Sequence, residues 1–305
     1  LGSGTVSDIA GNTGPATSRP ATSVRLDRVA PTATITLPPS GSSGPVSASS
    51  VSVTVDWSEA VSDFAPESAV VTNGTVSNFV TVSGTRHTFT ITPDVDGVVD
   101  LEIMAGAATD AAGNPSDPAG ASIEIDRSGP NAMFEFAPDT DPTNAASIVV
   151  TVTFDELPVG LTLSDFVVVN GSASSIGGSG AIRTLILTPA ADGELRLTLP
   201  AGAIADGAGN VSTNATTAAT TIDRTAPTLA MTFSPSVNPT NAPTITVTIT
   251  ASETVTDLVG PDLVLTNATL LDFEGSGTSY SATIEPVSDG TVVVALDAAA
   301  AVDPA

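Results

Sequence analysis

Along residues 51–57 the chain reads Val-Ser-Val-Thr-Val-Asp-Trp, with an apolar side chain at every second position, and the same rhythm returns at 148–154 and 245–250. Successive side chains of a strand point to opposite faces, so this alternation in Val, Ile and Thr marks strands buried on one side. The 3.6-residue spacing of an amphipathic helix is missing. Extended to neighbouring residues, the pattern predicts seven strands, A to G, at about 32–37, 51–57, 68–72, 76–82, 87–92, 98–103 and 120–126. Turn chemistry separates them. Asn73-Gly74 and Asn170-Gly171 suit tight hairpins that need positive φ, and Pro-x-x-Asp-Gly at 93–97, 189–193 and 286–290 marks the turn between E and F. Seven short strands in about a hundred residues predict an immunoglobulin-like sandwich and an all-β chain.

The pattern is written more than once. Ile125-Asp126-Arg127-Ser128-Gly129-Pro130 and Ile222-Asp223-Arg224-Thr225-Ala226-Pro227 are copies of one phrase, and Leu26-Asp27-Arg28-Val29-Ala30-Pro31 is a close variant. Asp-x-Ala-Gly-Asn stands at 8–12, 110–114 and 206–210, and begins again at Asp303. Glu59, Glu156 and Glu253 lie 97 residues apart, as do Asn73, Asn170 and Asn267. A period this long describes an array of whole domains, not a solenoid of small units. The expected repeats are 27–126, 127–223 and 224–305, the last without its strand G. Residues 1–26 read as the F–G loop and G strand (22–26) of a preceding, otherwise absent repeat. The chain thus reads as a window cut or processed from something longer. Pro31, Pro130 and Pro227 restrict φ in short linkers, so the expected arrangement is tandem sandwiches end to end as a rod.

Composition narrows the partners. At 305 residues and 41% hydrophobic, the chain can bury two or three cores. Its 33 acidic residues outnumber 8 basic ones, all arginine, for a net charge of −25. Nucleic acid and anionic membrane surfaces are therefore poor partners, whereas cations suit the chain; acidity also serves solubility alone. With no cysteine there is no disulfide framework and no thiolate metal site, and no apolar run reaches the ~18 residues of a membrane span. His87 is the single histidine, at the start of strand E, with Arg183 and Tyr280 at the matching positions. It reads as a surface strand residue, and Trp57 as core or rim packing. No Ser-His-Asp arrangement, phosphate loop or zinc spacing appears, so the chain is expected not to be an enzyme.

Strand direction places the carboxylates. Strands A, C, E and G run down from the N-terminal end of a domain, and B, D and F run up, so the Asp before A, the Glu after B and the Asp of the F–G loop all reach the same end. The first such set is Asp27, Glu59 and Asp110. The second is Asp126, Glu156 and Asp206, with Asp94 or Asp96 arriving from the preceding E–F turn; the third is Asp223, Glu253 and Asp303, with Asp192. Converging carboxylates repel unless a cation sits among them, and calcium, which takes 6–8 oxygens in irregular geometry, suits such a set. Two alternatives compete: Arg28, Arg127 and Arg224, each following the linker Asp, pair with the Glu, or the F–G Asp merely caps its own turn.

Asp27, Pro31, Thr32, Glu59, the run 72–75, Asp96-Gly97, 105–107 and 110–114 together resemble the bacterial Ig-like repeats of large, RTX-type cell-surface adhesins. Repeat two departs at 129–131, and repeat three has Ala268 where Gly is expected. The resemblance implies an extracellular or cell-surface segment stiffened by calcium between domains. The expected function is an adhesin extender whose partners are neighbouring repeats of the same chain or of other copies. The competing expectation is a self-assembling filament or surface-layer subunit, a homopolymer joined by G-strand complementation. A glycan-binding module would want clustered aromatics, which make up only 4% of the chain.

Overall fold

A computed structural model of the chain describes residues 7–11, 23–37, 44–297 and 300–305. Two compact units, Leu1–Arg127 and Ser128–Ala305, make up the chain. The first holds β1 (Ala33–Thr36), β2 (Val51–Trp57), β3 (Val61–Ser62), β4 (Ala69–Thr72), β5 (Gly74–Ser83), β6 (Arg86–Pro93), β7 (Gly97–Ile103), β8 (Thr109–Asp110) and β9 (Ala119–Ile125). One sheet has the order β1-β2-β6-β5, the other β4-β7-β9, and β3 pairs with β8. Because Val51, Val53 and Val55 alternate with Ser52 and Thr54, β2 turns one face inward; Phe89 and Ile91 of β6 join it, opposite Leu101, Ile103 and Ile125 from the other sheet. Each such side chain stabilises the sandwich by roughly 1.5–3 kcal/mol on burial.

The second unit repeats the plan twice. β10 (Ala132–Ala137), β11 (Ile148–Phe154), β14 (Ile182–Pro189) and β13 (Gly171–Ser179) form one sheet; β12 (Val167–Val169), β15 (Gly193–Leu199) and β16 (Thr216–Ile222) form the other. β17 (Leu229–Ser234), β18 (Ile245–Val255) and β20 (Ala268–Pro286) follow, β20 carrying D and E in one extended run with Gly275 and Gly277 at positive φ. The remaining sheet has only β19 (Leu263–Thr266) and β21 (Val293–Leu296).

The strands of repeat one lie within two residues of their expected places. Of the earlier G strand, residues 1–6 and 12–22 fall outside the described residues; 23–26 are described and have no strand partner there. Asp8 accepts the Ala10 N–H at 2.9 Å, so its turn is formed as in the later copies.

Strand G is held along both edges. β9 runs antiparallel to β7, and at its end Ile125 makes a parallel bridge to Val46; Ile222 does the same with Thr143. Val46 donates its N–H to Glu124 O at 2.9 Å and accepts that of Asp126 at 3.1 Å. Strand A is pinned beside it. Thr32 and Thr228 donate their N–H groups to Ser58 Oγ and Ser252 Oγ at 3.0 and 2.9 Å. Repeat two uses Asn131 and Asp155 instead, bonded twice at 2.8 and 2.9 Å. Its departure at 129–131 has a steric cause as well: a Cβ on Gly129 would stand 2.1 Å from Val211 O.

Two expectations are corrected. Asn73-Gly74 is not a hairpin, because β4 pairs with β7 and β5 with β6; the dipeptide carries the chain from one sheet to the other. The step still needs positive φ, and Asn73, Asn170 and Asn267 all lie at 58–59°. Asn73 also ties down the E–F turn: Nδ2 donates to Val95 O and Val98 O at 3.1 and 3.3 Å, and Oδ1 accepts the Val95 N–H at 3.1 Å. Glycine follows because a Cβ on Gly171 would meet Leu195 Cδ1 at 2.7 Å and Thr188 O at 2.8 Å. Repeat three has Ala268 there.

His87 is buried, not a surface residue. It shares parity with Phe89 and Ile91, and its ring lies 5.1 Å from Phe64, which stacks edge-on to Trp57 at 5.3 Å. His87 Nδ1 and Trp57 Nε1 have no hydrogen-bond partner. Burial holds the imidazole below its ordinary pKa of 6.5. The unfolded chain therefore takes up the proton first, and stability from this site falls as pH drops below that value. His87→Phe should remove that acid sensitivity, seen as a smaller loss of urea resistance between pH 7 and pH 5. Asn73→Ala should cost repeat one about 1–3 kcal/mol, from three lost hydrogen bonds and a strained φ, measured by urea unfolding.

Candidate metal centre

After Trp57 the chain turns at Ser58 and exposes Glu59 toward Asp27, which precedes strand A, and Asp110, which ends β8. Asp27, Glu59 and Asp110 each offer a carboxylate oxygen, all within 4.8 Å of one another. Asp110 is the buried member and is rigidly held: Oδ1 accepts the N–H groups of Ala112 and Asn114, each at 2.8 Å, and Oδ2 accepts Asn114 Nδ2 at 2.7 Å. The Asn114 side chain, ahead of the backbone donors, holds this carboxyl below its usual range. Asp27 accepts the Val29 N–H at 3.1 Å. Glu59 has the opposite problem: burial raises its pKa, and the charges of Asp27 and Asp110 raise it further.

In the third set, Glu253 shares the direction of the Glu59 shift. Burial, then Asp223 and Asp303, and at the end of the series Asp192, push Glu253 upward. Asp303 accepts the Ala305 N–H at 3.0 Å, the start of the same F–G turn. Of the second set, Asp126 is half-buried in the first unit, whereas Glu156 (half-buried) and Asp206 (buried) belong to the second. Asp206 is clamped as Asp110 is, by Asn210 N–H at 2.8 Å and Asn210 Nδ2 at 2.7 Å. Turn capping, one of the alternatives to a cation, is thus real at Asp110 and Asp206, and it leaves the first set still converging.

Two of the arginines that follow a linker Asp have partners on the E–F turn. Arg127 Nε meets Asp96 Oδ1 at 2.7 Å, and its N–H reaches Asp96 Oδ2 at 3.2 Å. Arg224 lies 3.8 Å from Asp192, which also accepts the Arg224 N–H at 3.0 Å and the Thr225 hydroxyl. Arg127 and Arg224 therefore hold the E–F turn: in extended chain, Asp and the following Arg point to opposite sides. Asp94 is exposed and its N–H donates to Asn73 O at 3.3 Å.

A family profile described as bacterial Ig-like domain matches residues 27–126, 126–222 and 223–305. The chain belongs to the bacterial Ig-like domain family. Solved structures with similar chains include the Escherichia coli adhesin FdeC (14% identity, TM-score 0.42, 87% of this chain and 92% of that one). InvD of Yersinia pseudotuberculosis (14%, TM-score 0.38, 87% and 82%) and invasin, a bacterial integrin-binding protein (12%, TM-score 0.34, 87% and 56%), are also similar. No curated protein sequence matches the chain.

Within this bacterial Ig-like array, what sequence reasoning missed at the site are the holders: Asn114 and Asn210, visible only as the last letter of Asp-x-Ala-Gly-Asn, and Thr225. The raised Glu59 pKa fixes a sign. A carboxyl raised on folding contributes stability below its unfolded value of 4.5, and loses it as pH climbs through the folded value. In metal-free solution at pH 7, Glu59→Gln should therefore raise the melting temperature of repeat one, with the gain vanishing near pH 4. Calorimetry at both pH values checks this.

Proposed function

We propose that this chain is an extender segment of a bacterial cell-surface adhesin, located outside the cell, and that calcium stiffens it by seating among Asp27, Glu59 and Asp110 and among the equivalent Asp223, Glu253 and Asp303. Tandem copies of one sandwich supply length and repetition, and among the described residues no helix is long and apolar enough to cross a membrane. The observation that carries the cation reading is the first carboxylate set: three oxygens within 4.8 Å, one carboxyl with its pKa lowered by hydrogen bonds from its own loop and another with its pKa raised by burial and by its neighbours' charge. The donors fit the ion. They are hard oxygens, and a cation with oxygen ligands at about 2.3–2.6 Å spans such a set, while the small octahedral shell of magnesium suits it less.

A bound ion stabilises by mass action, by about 2.7 kcal/mol at a hundredfold excess over its Kd. Calcium should therefore raise the melting temperature over chelator, with magnesium substituting poorly. Glu59→Gln should abolish the response of repeat one and leave that of repeat three. Identical melting of the wild-type chain in calcium and in chelator would sink the cation reading while leaving the extender reading standing.

A further inference from the structure

Five asparagines open an Asn-x-Ser/Thr triplet with no proline in the middle: Asn73, Asn170, Asn210, Asn214 and Asn267. That triplet is the acceptor pattern for N-linked sugar, and the acceptor atom is the side-chain nitrogen. The fold separates the five. Asn73 Nδ2 uses both of its hydrogens on Val95 O and Val98 O. Asn170 Nδ2 donates to Ala191 O and Asn267 Nδ2 to Ser288 O, each at 2.9 Å. Both nitrogens are crowded by the E–F turn, where a Cβ on Gly193 or Gly290 would stand 3.9 or 3.5 Å away. Asn210 Nδ2 donates to Asp206 Oδ2 at 2.7 Å, and Ser212, third in its triplet, is buried. A sugar on any of these four would displace hydrogen bonds that hold a turn.

Asn214 differs on every count. It sits at a bend between Val211, which bridges Ala205, and Thr216, the first residue of β16. Thr213, Asn214 and Ala215 are all exposed, and the Asn214 side chain has no hydrogen-bond partner among the described residues. Repeat one reaches β9 through Pro115-Ser116-Asp117-Pro118, with no asparagine in that stretch. The third residue of the triplet, Thr216, is half-buried and donates its hydroxyl to Ala132 O at 3.1 Å. Thr216 pairs with Leu199 at the very end of the β15–β16 ladder, so fraying of that terminal pair frees the hydroxyl without opening the sheet.

We propose that Asn214 carries an N-linked glycan, added to the folded chain from a sugar activated as a glycosyl diphosphate. In the transfer, Asn214 Nδ2 attacks the anomeric carbon of the sugar and forms the new C–N bond. The bond from that carbon to the diphosphate oxygen breaks, and the diphosphate leaves with its electron pair. Nδ2 gives one proton to a base of the transferase and keeps the other. The leaving group is a nucleoside diphosphate or a lipid diphosphate, and the acceptor chemistry is the same for both. The product is a bulky, hydrated cover over the connection between strands F and G of repeat two, made without losing a hydrogen bond of the turn. It is independent of whether the carboxylates hold calcium.

Fragment-ion mapping of the protein recovered from the cells that make it should find a glycan mass on Asn214 and the other four asparagines bare. Two transfers to the folded 305-residue chain distinguish the donors. One uses a soluble transferase with a nucleoside-diphosphate hexose, the other a membrane oligosaccharyltransferase with a lipid-diphosphate oligosaccharide. Both enzymes are chosen because they glycosylate a free peptide of residues 211–219, so refusal by the folded chain reports the fold. At least one arm should add a single glycan, at Asn214, and the arm whose sugar matches the native glycan identifies the donor. Asn214→Gln should abolish the adduct and leave the melting temperature unchanged, since that side chain is exposed; Thr216→Ser should retain it. A bare Asn214 in the native protein, or no transfer to the folded chain in either arm, would overturn the proposal. So would transfer to Asn73, Asn170, Asn210 or Asn267 of the folded chain as readily as to Asn214.

Discussion

Strand G is the element on which each sandwich depends. It completes the three-stranded sheet by pairing with strand F, and it reaches across at its end to bridge the segment before strand B. Its inward residues, Ile125 and Ile222, cap the apolar face that F presents. Hydrophobic burial scales with area removed from water, so one strand decides whether three or four large side chains count fully toward stability. Repeat three shows the same fold with that strand missing from the described residues, and its F-strand side chains are correspondingly half in solvent.

The end of strand G also sets the chemistry that follows it. Because extended residues alternate sides, the Arg after strand G faces the E–F turn, and in the second repeat the Asp before it, Asp223, lies beside Glu253. Opposite charges are thereby sorted: Asp96 and Asp192 find guanidinium groups, while Glu59 and Glu253 find only further carboxylates. With eight arginines for 33 acidic residues, most carboxylates have no guanidinium to pair with. Burial and the like charges beside them together raise the pKa of both glutamates.

Much of the fold was legible because period-two alternation is a strong local signal; β2 falls on 51–57 as read. The approach of Asp27, Glu59 and Asp110 was legible too, since strand direction follows from strand count. Errors arose where one local signal serves two geometries. Asn-Gly satisfies positive φ in a hairpin and equally in a step between sheets, and only the pairing of β4 with β7 tells them apart. His87 was misplaced by its polarity, although its parity with Phe89 and Ile91 already put it inside. The partners of Arg127 and Arg224 lie about thirty residues back in sequence, on a turn whose position no local pattern reveals.

The parallel bridge between Val46 and Ile125 has a mechanical meaning. Suppose the first domain is pulled from its two ends, near Pro31 and Asp126. Tension along strand G then tends to slide it past the Val46 segment, so the two hydrogen bonds flanking the bridge are loaded together in shear, not peeled one at a time. Bonds loaded in parallel share the force and must break in a single event. The same contact at Thr143 and Ile222 gives the second repeat an equivalent lock. A sandwich joined this way resists extension by the geometry of a few backbone bonds near its end.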